Sequence, residues 1–508
     1  MTAKQEKVFS AVLLATAFTA LFLARLFMLN QSLEPNGLDG YYYALQAKSL
    51  METGRLENPS LQPGYYLCGL GGILTGDAIQ GVKLWAALSA ALTSLAIWKL
   101  LFVLTKSSFL SLLGFIVCGL SPSFATMSVN YINNQTGIFL LLCYAICIAF
   151  CIKKITWPRI VIALFFFLLS MASHKITMVL SIAGSLGIFL WLLVSRKMTG
   201  RKPPSRVKLI VAGASVAFAV LFGFHFFQLH SPRFFQSFSL PQLPFQSSSF
   251  QRVIGKYASW EIAAHLMLLY LAGFLAFILR IPGRALALLI PILYFPFWNL
   301  ESDMGQRMLL NGLPLGIPLV LYFGWSLLTK LSDRISAGGS SFPPITGKNS
   351  LLFCSTLLFV LLVPSTAKNY DPQTDPPYSY YREVIQSVNL EEDSLLIAHL
   401  GLNHVYTYHK DLKDALNWLP NFYIPPEKTW RIACGPSHHH MAAFFPDLGS
   451  QINSLIQHLD GPYTLIREDI WQEYLRREDK EIAEAYRNWF NPHQVRPDYI
   501  RKSKETPQ

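Results

Sequence analysis

The sequence predicts a polytopic α-helical membrane protein with a small C-terminal α/β domain. The 508-residue chain is 52% hydrophobic and only 14% charged, whereas soluble proteins carry roughly 25% charged residues. Long apolar runs alternate with short basic loops over the first 366 residues, as expected of a chain that crosses a bilayer repeatedly. The net charge of +12 lies mostly in those loops, so it indicates membrane topology and no nucleic-acid partner.

Eleven apolar runs are predicted to be transmembrane helices. They lie near 8–29, 80–104, 108–122, 135–152, 158–173, 176–195, 209–229, 260–280, 285–299, 308–328 and 350–366. The runs near 108–122 and 158–173 are shorter than the roughly 20 residues of a straight span. The first run is interpreted as a retained helix, because its apolar stretch exceeds the roughly 7–15 residues of a signal-peptide core and no cleavage pattern follows Arg25.

The distribution of basic residues predicts the orientation of these spans. With a cytoplasmic N-terminus, Lys106, Arg159 and the segment "SRKMTGRKPPSRVK" all fall inside. The short outer segments carry fewer basic residues, as the positive-inside rule expects. An odd number of spans then places the tail outside the cytoplasm. We therefore expect a multi-pass protein of a bilayer, most simply a bacterial inner membrane.

Two domains are predicted, a transmembrane module at 1–366 and a soluble extracytoplasmic α/β domain at 367–508. In the tail, "SLLIAHL" and "YTLIRED" are predicted strands, while 447–459 and 468–490 have helical spacing. The first outer loop, 30–79, contains a predicted interfacial helix near 40–53. Gly54 follows that helix, at a position where glycine commonly ends helices.

Under this topology, polar residues from four distant segments fall on the outer side. They are Asp39, Tyr42 and Tyr43 in the first loop, Asn134 and Gln135 before the fourth span, His174 and Lys175 after the fifth, and Glu301, Asp303 and Arg307 before the tenth. Charged residues at the edge of an apolar span are costly, which favours a functional role. Lysine and arginine can bind a lipid phosphate there, and a carboxylate can accept a proton from an attacking hydroxyl.

Four features together resemble the GT-C superfamily of polytopic glycosyltransferases. This superfamily includes protein O-mannosyltransferases, the lipid A aminoarabinose transferase and oligosaccharyltransferase catalytic subunits. The first outer loop opens with an acid and aromatic residues, "LDGYYYALQAKSLMETGRL". One span ends in a His-Lys motif, "SMASHKITM", and an arginine precedes the proline-containing span "QRMLLNGLPLGIP". The fourth feature is a soluble domain after the last span.

The resemblance implies transfer of a sugar from a polyprenyl-phosphate donor to an extracytoplasmic lipid, glycan or protein acceptor. Asp39 would be the catalytic carboxylate, and Lys175 and Arg307 would bind the donor phosphate. The supporting residues would be Tyr42, Tyr43, Asn134, Gln135, His174, Glu301 and Asp303. Metal-using members carry a second acidic cluster where this chain has amides, "NYINNQTG". We therefore expect a metal-independent, inverting reaction without a cofactor, with a divalent metal as the less favoured alternative.

Simpler roles remain open for the same residues. Asp39 is also placed to cap the predicted helix, and at least two of the neighbouring tyrosines fit an interfacial aromatic belt. Lys175 fits a residue that snorkels to the headgroups, and Arg307 an anchor paired with a nearby acid. A disulfide between Cys68 and Cys434 is a further alternative.

Two other functions remain open for the whole chain. One is a ligase or polymerase of lipid-linked glycans, which also needs basic residues at the outer boundary. The other is a non-enzymatic transporter or flippase with an outer sensor domain. Transporters tend to have internal repeats and ionisable residues near mid-membrane. No clear repeat is present, and the ionisable residues lie at one boundary, which favours chemistry at the membrane surface.

Overall fold

The computed structural model describes residues 3–37, 39–57, 60–154, 156–174, 176–182, 184–186, 259–279, 303–337, 355–360, 394–398 and 463–467, with isolated positions between them that include 378, 382, 405, 408 and 409. The helices are α1 (Ala3–Leu29), α2 (Gly40–Thr53), α3 (Pro63–Thr75), α4 (Ala78–Thr105), α5 (Ser108–Leu120), α6 (Pro122–Asn130), α7 (Ile132–Lys153), α8 (Trp157–Ser173), α9 (Ser259–Ile278) and α10 (Asp303–Ala337). A short apolar helix, Ile176–Leu186, follows α8.

Four helices of the described part are long and apolar enough to cross a membrane. They contain the segments Val8–Leu29, Ala78–Thr105, Ile132–Cys151 and Leu310–Leu328, which match four of the predicted spans. The chain thus has the helices of an integral membrane protein. Shorter apolar helices occur at Trp157–Ser173, Ile176–Leu186 and Met267–Ile278. The predicted spans near 209–229, 285–299 and 350–366 lie wholly or largely outside the described residues, so the total of eleven stays a prediction.

The predicted span near 108–122 is a helix pair, α5 and α6, bent by 57°. Ser121 separates the two helices, and its hydroxyl accepts a hydrogen bond of 3.0 Å from the amide of Phe124. Pro122 occupies the first position of α6, where its missing N–H costs nothing. The sequence "GLSPSF" therefore ends one helix and begins another. The connection expected before the fourth span is mostly helical, because α6 and the start of α7 occupy it, with Tyr131 between them.

Charged side chains from two other helices lie at the ends of this break. Arg25 of α1 is fully buried, and its Nη2 donates a hydrogen bond of 2.9 Å to the carbonyl of Gly119, near the C-terminal end of α5. Glu261, in the first turn of α9, accepts a hydrogen bond of 3.0 Å from the amide of Ser123, in the first turn of α6. A cation at a helix C-terminus and an anion at an N-terminus both complement the helix dipole.

The chain folds into two compact units. The first comprises Met1–Gln31, Leu61–Leu67 and Lys83–Tyr370. Its main apolar core draws on α4 to α10 and includes Ile97, Phe124, Ile138, Phe167 and Phe323. A second cluster packs α1 against α5 through Leu21, Phe115 and Phe359. Membrane helices in this unit also make polar contacts, such as the 2.9 Å hydrogen bond from Trp85 Nε1 of α4 to Thr136 Oγ1 of α7.

The second unit comprises Ser32–Ser60, Cys68–Val82 and Asp371–Gln508. Within it α2 and α3 approach closely, because Gly69 and Gly72 of α3 lie against Leu50 and Met51 of α2 with no room for a Cβ. Helix α3 lies within the predicted first outer loop, 30–79, where the sequence prediction gave only the helix near 40–53. Pro63 at its start was the available signal.

The two strands predicted in the tail are present as β1 (Ser394–Ala398) and β2 (Tyr463–Arg467). They pair antiparallel, with Leu396 opposite Leu465. The predicted helices 447–459 and 468–490, and the predicted boundary at 366, lie outside the described residues. The α/β domain as a whole therefore stays a prediction.

Candidate active site

Helix α2 carries the residues at the start of the candidate site. It spans Gly40–Thr53, the range in which the sequence predicts a helix. Gly54 ends it in the left-handed conformation with φ of 70°, and the Gly54 amide donates a 3.0 Å hydrogen bond to the carbonyl of Leu50. Such a conformation suits glycine, which lacks a Cβ. Lys48 and Glu52 form an ion pair one turn apart in α2, at 3.9 Å.

Asp39 directly precedes α2, but its side chain does not cap the helix. The residue is partly buried, and its carboxylate makes no capping hydrogen bond to the first turn. Its main-chain carbonyl begins the helical ladder by accepting a 3.0 Å hydrogen bond from the amide of Tyr43. The simple N-cap interpretation therefore does not describe the carboxylate of Asp39 in this structure.

The three tyrosines after Asp39 face different surroundings. Tyr41 is fully buried and Tyr43 is 6% exposed, while Tyr42 is partly exposed and its ring lies 6.5 Å from that of Tyr43. A ring in an interfacial belt would contact lipid and would not be covered by protein. The expectation that at least two of these tyrosines form such a belt is therefore wrong, because Tyr41 and Tyr43 are enclosed by the protein.

Tyr41 belongs to a polar cluster that we call the Glu34 cluster: Glu34, Tyr41, Arg382 and His409. The hydroxyl of Tyr41 donates a hydrogen bond to Glu34 Oε2. The other oxygen of the Glu34 carboxylate forms an ion pair of 2.9 Å with Arg382 Nη1. Tyr41 Oη also lies 3.0 Å from His409 Nε2. Because the tyrosine proton is used toward Glu34, the histidine nitrogen is the donor in that contact.

The cluster favours particular protonation states. Burial and the hydrogen bond to Glu34 raise the pKa of Tyr41 above its ordinary range, so Tyr41 remains a donor throughout the physiological range. Burial lowers the pKa of His409, the Glu34 carboxylate opposes that change, and Arg382 and Lys48 add to it. The neutral imidazole is therefore favoured, and the charged pair in the cluster is that of Glu34 and Arg382.

Further contacts join the loop before α2, and α2 itself, to the tail. Tyr378 donates a 2.7 Å hydrogen bond to the carbonyl of Gly37, two residues before Asp39. Lys48 Nζ donates a 2.8 Å hydrogen bond to the carbonyl of Tyr408 and lies 5.2 Å from the centre of its ring. The ring of Tyr41 meets those of Tyr378 and Tyr408 edge to face, at 4.9 and 5.3 Å. Every one of these residues belongs to the second unit.

Asn134 and Gln135, predicted to support a substrate cavity, lie buried in the first turn of α7. Gln135 Nε2 donates hydrogen bonds to the carbonyl of Ala86 at 3.0 Å and to Ser89 Oγ at 2.7 Å, both on α4. Its described contacts therefore hold two membrane helices together. Asn134 is 2% exposed, and its Nδ2 has no hydrogen-bond partner in the part of the chain that the structure describes.

His174 lies between α8 and the short helix that follows. Its Nδ1 accepts a 3.2 Å hydrogen bond from the amide of Ile176, so the imidazole caps the start of Ile176–Leu186. Its carbonyl accepts a 2.8 Å hydrogen bond from Thr177 Oγ1. These contacts give His174 a local structural role beside the supporting role predicted for it.

The remaining predicted residues are only partly described. Lys175 and Glu301 lie outside the described residues. Asp303 and Arg307 occupy the first turns of α10, where the backbone alone is described. The expectation that Asp39, Lys175 and Arg307 converge on one donor phosphate therefore stays a prediction.

The metal and disulfide alternatives depend on histidine, cysteine and acidic side chains. In the described ranges no group of three histidine, cysteine or acidic residues is arranged to hold a metal ion. Cys68 of α3 is a free and fully buried thiol, while Cys434 lies outside the described residues. Burial raises the pKa of the Cys68 thiol above its ordinary range, so the thiol stays protonated.

Comparison with solved structures finds similarity to ArnT and to an archaeal oligosaccharyltransferase. Crystal structures of ArnT from Cupriavidus metallidurans align over most of both chains. The form bound to undecaprenyl phosphate has 12% identity and a TM-score of 0.45, covering 82% of this chain and 86% of ArnT. The apo form has 13% identity and a TM-score of 0.49, covering 88% and 89%.

The apo oligosaccharyltransferase of Archaeoglobus fulgidus is also similar, with 12% identity and a TM-score of 0.47. That alignment covers 75% of this chain and 58% of the archaeal one. ArnT and this oligosaccharyltransferase are both GT-C proteins. At such identities and TM-scores the alignments assign no activity or residue role to this chain. No family model and no curated protein matches the sequence.

Sequence reasoning missed most of the Glu34 cluster. Glu34 lies in "LEPNGLDG", five residues before Asp39, and its proximity to a predicted catalytic acid was the one usable signal. Arg382 occurs in "YSYYREV", in the tail. Nothing in the spacing of a single sequence indicates that these two segments meet. The pair depends on tertiary structure, and only the three-dimensional arrangement reveals it.

Proposed function

We propose that this protein is an integral-membrane glycosyltransferase that moves a sugar from a polyprenyl-phosphate donor to an acceptor outside the cytoplasm. The reaction is inverting and metal-independent. The acceptor belongs to the lipids, glycans or proteins of the cell envelope, and the membrane is the inner membrane of a bacterium. Asp39 is the catalytic carboxylate, and Lys175 and Arg307 bind the donor phosphate.

The observation that carries the proposal is the state of Asp39. Its carboxylate directly precedes α2 and makes no capping hydrogen bond to the first turn, so the N-cap alternative does not account for this acid. The acid opens the first outer loop, as in the superfamily that the sequence motifs resemble. A carboxylate is a group that can accept the proton of an attacking hydroxyl.

In the proposed reaction, an acceptor hydroxyl attacks the anomeric carbon of the donor sugar. The new bond joins the acceptor oxygen to that carbon, and the bond from the carbon to the phosphate oxygen breaks. Polyprenyl phosphate leaves with the bonding electron pair, and Asp39 takes the proton of the hydroxyl. Attack from the face opposite the phosphate inverts the anomeric configuration. General-base assistance of this kind contributes typically about 100- to 10,000-fold to a rate.

The leaving phosphate gains negative charge as its bond to the sugar breaks. Lys175 and Arg307 neutralise that charge, arginine as a two-point fork and lysine as a point charge. Cations that act on charge developed in the transition state stabilise it more than the ground state. These two side chains neutralise the phosphate as a divalent ion does in metal-using members of the superfamily. This is consistent with the amides of "NYINNQTG", which replace the second acidic cluster of those members.

The test is transfer of radiolabelled sugar from purified polyprenyl-phosphate donors by the full-length protein in detergent or nanodiscs. Asp39→Asn keeps the size of the side chain but removes the base, so we expect the rate to fall by at least about 100-fold. Asp77→Asn is the matched control. Asp77 is exposed and caps the start of α4 through a 2.7 Å hydrogen bond from the amide of Gln80, and asparagine caps equally well.

Undiminished transfer by Asp39→Asn protein would remove Asp39 as the base. A chelator that abolishes wild-type transfer, with recovery on adding Mg²⁺ or Mn²⁺, would overturn the metal-independent mechanism. If the wild-type protein instead moves intact donor across a vesicle bilayer without transferring the sugar, the transporter alternative is correct.

A further inference from the structure

We propose that Arg382 and Tyr378 of the tail are positioning residues that hold the loop carrying Asp39 in one geometry. We call residues 34–41 the Asp39 loop. The proposal gives the start of the tail a structural role, whereas the sequence analysis predicts only that the tail lies outside the cytoplasm. The catalytic consequence alone rests on the proposed function, because the contacts that hold the loop are structural.

The Asp39 loop closes on itself. The side chains at its two ends, Glu34 and Tyr41, are joined by a hydrogen bond. Inside it, the amide of Gly40 donates a 3.2 Å hydrogen bond to the carbonyl of Gly37. Gly37 has a φ of 79°, a conformation that glycine adopts without strain. A Cβ on Gly40 would crowd the backbone of Pro35 at 3.0 Å, so the loop is tightly folded.

Two residues of the tail fasten this closed loop at different points. Tyr378 is 2% exposed and donates its hydrogen bond to the carbonyl of Gly37, at the centre of the turn. Arg382 forms its ion pair with Glu34, at the start of the loop. The Glu34 side chain is only 10% exposed in that pair, and a carboxylate with so little water needs a cation or donors to remain charged.

Asp39 lies between Gly37, which Tyr378 holds, and Tyr41, whose hydroxyl contacts Glu34 and His409, and is two residues from each. A side chain between two fixed points of a tight turn has little freedom to move with the backbone. Catalytic groups need such fixation, because a displacement of about 1 Å at a reacting group can cost roughly 100-fold in rate. Loss of either tail contact therefore loosens the carboxylate without removing it.

Hydrogen exchange measured by mass spectrometry on full-length protein in nanodiscs tests the mechanical claim. In Arg382→Gln protein we expect the amides of 34–41 to exchange at least about tenfold faster, as loss of a charge-assisted hydrogen bond implies. Tyr378→Phe removes one hydroxyl and should give a smaller acceleration in the same peptide. Arg55→Gln is the matched control, because Arg55 is an exposed arginine after α2, and it should leave that peptide unchanged.

Kinetics test the catalytic consequence. We expect Arg382→Gln to lower kcat by about tenfold or more while the donor KM changes less than about twofold, since the loop is loosened but the donor site is intact. Arg382→Lys keeps the charge and should recover part of the rate. Glu34→Gln should resemble Arg382→Gln, and the double variant should be no slower than either single variant, because both remove the same pair.

Each outcome decides the matter. Unchanged exchange in 34–41 for both Arg382→Gln and Tyr378→Phe overturns the proposal. Faster exchange with unchanged kcat shows that the tail holds the loop but that this geometry does not serve catalysis, which overturns the positioning role. If the wild-type protein transfers no sugar, the proposed function fails, and the exchange data still decide whether the tail fastens the loop. If Arg382→Gln protein does not fold, Tyr378→Phe gives the answer.

Discussion

Arg25 Nη2 lies 2.9 Å from the carbonyl oxygen of Gly119, and the arginine that makes this hydrogen bond is fully buried. The contact joins α1 to the end of α5, where the chain bends toward α6. A buried cation is costly unless it finds acceptors, and the last carbonyls of a helix are acceptors without intrahelical partners. Arg25 thus gains one carbonyl acceptor and supplies a donor to the end of α5, while its Nε has no partner among the described residues.

The first prediction concerns this contact. Arg25→Ala should lower the free energy of unfolding by about 2–5 kcal/mol, because it leaves a buried carbonyl without its donor and opens a cavity. Arg159→Ala is the control. Arg159 Nη1 also donates a hydrogen bond to a carbonyl at a helix end, that of Lys154 at 2.9 Å, but this contact is exposed to solvent. The control should cost less than about 1 kcal/mol. Thermal unfolding in detergent measures both, and equal effects would contradict the role assigned to burial.

The second prediction concerns the crossing of α3 and α4. A Cβ on Gly81 of α4 would overlap the backbone of Gly72 in α3, and backbone atoms cannot turn aside as a side chain does. Gly81→Ala should therefore destabilise the protein by about 1–3 kcal/mol. Gly324→Ala in α10 is the control, because no described atom beyond the neighbouring backbone of α10 lies within 4 Å of a Cβ built there. Since alanine favours helices, that variant should be neutral or slightly more stable. A Gly81→Ala protein as stable as the control would contradict the close crossing.

The third prediction concerns acid pH and His409. The groups that face this imidazole are Tyr41, Glu34, Lys48, Tyr408 and Arg382. Its pKa is lowered in the folded protein, chiefly by burial, so the unfolded chain binds the proton more readily. The contribution of His409 to the free energy of unfolding is therefore complete above the ordinary histidine pKa of about 6.5. It is lost as the pH falls below that value.

His409→Gln should remove this part of the pH dependence, so that its melting temperature falls less than that of the wild type between about pH 7 and pH 5. The effect should be modest, because His409 is partly exposed and water screens its charge. Melting curves of both proteins in matched detergent buffers measure the difference. Parallel pH profiles would show that His409 does not couple folding to protonation.

Features that depend on local pattern were predictable from the sequence. Four of the predicted spans match described helices that are long and apolar enough to cross a membrane. The bounds of α2 were also predicted, because Gly54 marks its end and the residues before it have helical spacing. The strands at 394–398 and 463–467 followed from short runs rich in apolar residues between polar segments.

Features that depend on tertiary contacts were not predictable. The tyrosines after Asp39 resemble an interfacial belt in sequence, and only the partners of Tyr41 show that it is buried in protein. Gln135 fits a cavity-lining amide in sequence, yet its hydrogen bonds join α7 to α4. The ion pair of Glu34 and Arg382 joins two segments with no common motif. In each case the sequence marks a polar residue as a candidate for a specific contact but does not indicate the partner.

The Glu34–Arg382 pair also sets an order of events during synthesis. The Asp39 loop leaves the ribosome early, while residue 382 follows only after the predicted spans. Of the contacts described for the Asp39 loop, those within the loop need no later residue: the hydrogen bond of Tyr41 to Glu34 and the turn at Gly37. Chains are made at about 5–20 residues per second, so this interval lasts tens of seconds. A chain interrupted before residue 378 would lack both tail contacts of the Asp39 loop, that of Tyr378 with Gly37 and that of Arg382 with Glu34.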